Sequence, residues 1–169
     1  MNSHSQGQGA RNHVPALLTL IVALLVVGAV AQEIVRHAVQ SLPALVCLLA
    51  AAANVRAVKW AAYAIYLFWI AIAVLIWLFL LDLAHVARGH YTATEIAMTI
   101  VFGVAGIYGL ASGWRRSGKL GAAGAVAVFV IAFTVQTLTM MVSLKPLLAH
   151  DAEFCAAVAV PLLCDRVAR

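Results

Sequence analysis

From Trp60 to Leu81 the chain runs for 22 residues without a charge, and Asp82 ends the run. A helix needs ~20 apolar residues, rising 1.5 Å each, to cross the ~30 Å hydrocarbon core of a bilayer. A soluble domain has no room to hide such a run when the rest of the chain is equally apolar. Of the 169 residues, 65% are hydrophobic and 10% charged, against about 45–50% and about 25% in an ordinary globular domain. The mean hydropathy is +1.02. This composition excludes a soluble enzyme, a nucleic-acid-binding module and a disordered tail. The net charge of +5 reports topology first, because basic residues in membrane proteins collect on the cytoplasmic side.

Four further stretches qualify or nearly qualify as spans. Val14 to Ala31 carries no charge, and Pro15 sits where a first helical turn tolerates proline. Ala38 to Asn54 is the weakest, because Gln40, Ser41 and Pro43 leave only Ala44 to Ala53 uninterrupted. It is expected to be short or re-entrant. Ile96 to Gly113 lies between Glu95 and Trp114-Arg115-Arg116, and Leu120 to Leu144 lies between Lys119 and Lys145-Pro146. Helices are the viable spans, since lipid satisfies no open strand edge. The fold class is therefore all-α: a polytopic antiparallel bundle of five transmembrane helices over 14–31, 38–54, 60–81, 96–113 and 120–144. A mobile polar segment, 1–13, precedes it and a tail, 145–169, follows. Gly28-Ala29-Val30-Ala31 has the small residues of a signal cleavage site, but the single Arg11 ahead of the run favours an uncleaved helix.

With five spans, one side holds Arg11, Arg56, Lys59, Arg115, Arg116 and Lys119, and the other holds Arg36, Arg88 and Lys145. The excess places the N-terminus in the cytoplasm and the tail outside, in a bacterial cytoplasmic membrane. Cys47 reads as a small buried hydrophobe. Cys155 and Cys164 fall in the tail, where an oxidising compartment would join them in a disulfide. Pro161 lets the chain fold back between them.

Four groups are candidate functional features. Asp82, His85, His90, His150 and Asp151 collect at the outer side, and imidazole with carboxylate suits a divalent transition metal. Tyr63, Tyr66 and Trp69 are three apart and form one aromatic stripe, a candidate face for a partner subunit or a lipid ligand. Ala105, Gly109 and Gly113 make a small-residue row that permits close helix approach. The fifth span opens with Gly121, Ala122, Ala123 and Gly124, so it is the expected partner of that row. Gln136 shares a face with Thr139 and Ser143, which suits interhelical hydrogen bonds or a hydrophilic path.

No ionisable residue sits near the middle of any span, which argues against a proton-driven pump. No catalytic triad or phosphate-binding loop is present, so no enzyme activity and no cofactor are expected. The expected function is an accessory or assembly subunit of a larger membrane complex. Its partners are membrane lipid and other membrane subunits, not nucleic acid, and a homo-oligomer is an alternative. A small oligomeric transporter or channel for a metal cation or neutral solute is the second reading. A membrane protein protecting against a toxin or stress factor is the third.

Overall fold

The computed structural model describes residues 10–55, 57–84, 91–114 and 120–145, with Trp114 described by its backbone alone. They form five long helices: α1 (Val14–Val30), α2 (Ile34–Ala52), α3 (Val58–Leu80), α4 (Ala93–Trp114) and α5 (Ala122–Ser143). Four of them, α2 to α5, are long and apolar enough to cross a membrane, while α1 is an apolar helix of 17 residues.

Three helices end in the same way. Gln32, Asn54 and Asp82 take φ of 57°, 57° and 59° just past the ends of α1, α2 and α3. The next residue then reaches back across the turn: Glu33 N–H donates to Gly28 O at 2.8 Å, Val55 to Ala50 at 2.9 Å and Leu83 to Leu78 at 2.9 Å. These bonds satisfy carbonyls that the helix itself leaves unpaired. At the other kind of terminus, Thr92 and Glu95 form a reciprocal cap on α4. Thr92 N–H donates to Glu95 Oε2 at 2.6 Å, and Glu95 N–H to Thr92 Oγ1 at 3.2 Å.

The second helix is longer than the short segment expected over 38–54. It is continuous for 19 residues with Pro43 inside it. The polar residues that seemed to interrupt it are each given a partner. Ser41 Oγ bonds back to Ala38 O at 2.8 Å. Gln40 turns its side chain to α5. Proline removes the donor that the Val39 carbonyl would receive, and the Gln136 amide of α5 donates to the next carbonyl, that of Gln40, at 3.2 Å.

The helices form a closed circuit. α1 packs on α2 and α4, α4 on α3, α3 on α5, and α5 on α2, with α2 and α3 touching across the middle. The core is filled by Leu17, Leu20 and Leu24 of α1, by Ile65, Tyr66 and Trp69 of α3 and by Phe102 of α4. Buried alanines, Ala44 and Ala51 of α2 and Ala62 of α3, let the backbones come close.

The small-residue row of α4 does not pair with α5, as its sequence position suggested. It receives α3. A Cβ on Gly109 would stand inside the Tyr66 ring, one on Gly113 would lie 2.6 Å from Tyr63 Oη, and one on Gly106 would lie 2.9 Å from Ile70 Cγ1. Residues 63, 66 and 70 thus meet 113, 109 and 106, in reverse order. Bulky aromatic knobs need empty positions opposite them, and the start of α5 offers no such match: a Cβ on Gly121 would meet nothing within 4 Å. Gly109→Ala should therefore lower the unfolding temperature in detergent, by overpacking of about 1–3 kcal/mol. Gly121→Ala should leave it unchanged or raise it. Equal responses would reject this packing.

Candidate functional site

Two polar assemblies stand out in an otherwise apolar bundle, and both are built from residues close to helix ends. The first is a seam between α2 and α5. Arg36 Nη1 pairs with Glu33 Oε2 at 2.6 Å, with both side chains about four-fifths covered. Its Nε donates to Ser143 O at 3.2 Å. Ser143 is the last residue of α5, so its carbonyl has no helical donor, and a guanidinium there also complements the helix dipole. Gln40 Nε2 donates to Ser143 Oγ at 2.9 Å, and that hydroxyl donates to Met140 O at 2.6 Å. Gln136, fully buried, completes the seam through its bond to Gln40 O. Its Oε1 has no hydrogen-bond partner among the described residues. Beside the seam, His37 Nδ1 lies 3.0 Å from Glu33 O. A carbonyl only accepts, so Nδ1 carries the proton.

The seam holds amides, a hydroxyl and a paired charge. It has no unpaired acid or base with which to move a proton in a reaction. What it can do is fix the register and depth of α5 against α2. Gln136→Leu removes the donor to Gln40 but also removes the unpaired Oε1, so the loss should be limited to about 1 kcal/mol. The expected result is a small fall in unfolding temperature with unchanged helical content by circular dichroism. A loss of fold would show that the seam carries much more.

The second assembly surrounds His13, at the start of α1. Its ring is fully buried, edge-on to Tyr63 at 5.9 Å and tilted against Tyr66 at 6.0 Å between centroids. Tyr66 Oη donates to His13 O and Tyr63 Oη to Leu110 O, each at 3.2 Å. Neither imidazole nitrogen has a hydrogen-bond partner among the described residues. The Lys59 ammonium lies 5.4 Å and 5.5 Å from the Trp60 and Tyr63 ring centroids. Burial first, and Lys59 second, push the His13 imidazole down to about 4 from 6.5. Histidine was not singled out here by sequence. It stands alone before the apolar run and has no spacing that marks it.

The depressed value gives a signed expectation. Above pH 6.5 both the folded and unfolded chains hold His13 neutral. Between 6.5 and 4 the unfolded chain takes up a proton and the folded chain does not, so stability falls as pH falls, by up to about 3 kcal/mol. Unfolding temperatures measured at pH 7.5 and 4.5 should show this loss, and His13→Leu should shrink it. An unchanged pH dependence in that variant would remove His13 as the cause.

The structure turns the aromatic stripe inward, which corrects its expected role as an outward face. Tyr63, Tyr66 and Trp69 are 9%, 0% and 3% exposed. They meet His13, the α4 glycines and Phe102, which lies 5.7 Å from the Trp69 ring. Of the candidate metal cluster, Asp82 sits just past α3. His85, His90, His150 and Asp151 lie outside the described residues, as do Cys155 and Cys164. Among the described residues no three His, Cys, Asp or Glu side chains come together to hold a metal. Cys47 is buried as a thiol. Ala105 is buried on the same helix as Gly109 and Gly113.

Among the described residues, a groove of about 370 Å³ opens between α2, α3 and α5 and another of about 450 Å³ between α1 and α4. Comparison with protein-family models, with curated proteins and with solved structures finds no match to this chain.

Proposed function

We propose that this chain is a five-helix integral membrane protein and an accessory or assembly subunit of a larger membrane complex, acting through helix–helix contacts. Consecutive helices run antiparallel, a reading supported by the reversed order of contacts between α3 and α4. The distribution of Lys and Arg puts the N-terminus in the cytoplasm and the tail outside a bacterial cytoplasmic membrane. At 17 residues α1 is at the short limit for a span.

The observation that carries the subunit reading is the exposure of α5. Only 11% of its most apolar stretch is buried, against 33% to 39% in α2, α3 and α4. Its first turn, Gly121, Ala122, Ala123 and Gly124, is exposed. Among the described residues, a Cβ on Gly124 would meet its own neighbour Leu120 alone within 4 Å. Glycine in a helix costs up to about 1 kcal/mol relative to alanine. Lipid gains nothing from it, whereas a second helix packs closely against it. Gln136, on which a solute path would depend, is engaged with α2. That engagement favours contact over conduction.

The tagged chain, purified in mild detergent, should carry a stoichiometric second subunit. Gly121→Leu with Gly124→Leu should abolish co-purification while leaving the unfolding temperature of the chain unchanged. A lone monomer from the wild-type chain would overturn the proposal.

A further inference from the structure

We draw no further inference here: the strongest candidate, the apolar groove between α2, α3 and α5, carries none, because nothing in the structure shows what covers it.

Discussion

The approach of Tyr66 to Gly109 is the contact on which the bundle depends. Tyr66 is fully buried, and its ring occupies the place a side chain on residue 109 would take. That fit sets the distance between α3 and α4. It also turns the Tyr66 hydroxyl to the His13 carbonyl, which ties the start of α1 to the same point. Three helices are thus positioned by one aromatic side chain and the absence of another. Within lipid the hydrophobic effect does not draw helices together, so such fitted contacts and interhelical hydrogen bonds are the available forces.

The other side of the bundle is organised by polar contacts. α5 meets the core by ring contacts such as Phe68 with Phe133, 5.8 Å between centroids. It meets α2 by Gln136, Ser143 and the Arg36 guanidinium. Beyond the seam, apolar residues of both helices line the side groove. A helix held in this way is well fixed in register and lightly covered. Both properties suit an element that presents a face to other molecules.

The sequence located the helices through its uncharged runs, because lipid tolerates charges only near helix ends. It was less informative wherever the answer depended on a neighbour. Tyr63, Tyr66 and Trp69 share a face by spacing alone, but spacing does not say what the face meets. The complement was present as the Gly106, Gly109 and Gly113 row, which lies on one helix face at the same spacings of three and four residues that put 63, 66 and 70 on theirs. The second helix was expected to be short because Gln40, Ser41 and Pro43 look like interruptions, whereas the partners of Gln40 lie about a hundred residues away on α5 and Ser41 bonds back to its own helix. His13 escaped because a buried histidine before an apolar run looks like any residue of a polar tail. The outer histidines and the tail cysteines fall outside the described residues, so the fold gives them no geometry.

On the membrane reading proposed above, the unequal lengths of the helices have a consequence for the surrounding bilayer. α1 has 17 residues and α3 has 23, or roughly 25 Å against 34 Å. α1 packs on α2 and α4 and meets α3 at its start, where His13 lies against Tyr63 and Tyr66. In a membrane of uniform thickness the short and the long helix would be matched to different depths. Thinning of the lipid beside α1, or a tilt of the whole bundle that shortens the projection of α3, relieves the difference at a fraction of a kcal/mol per Å. Under that reading, membrane thickness itself becomes a variable that sets how the bundle sits.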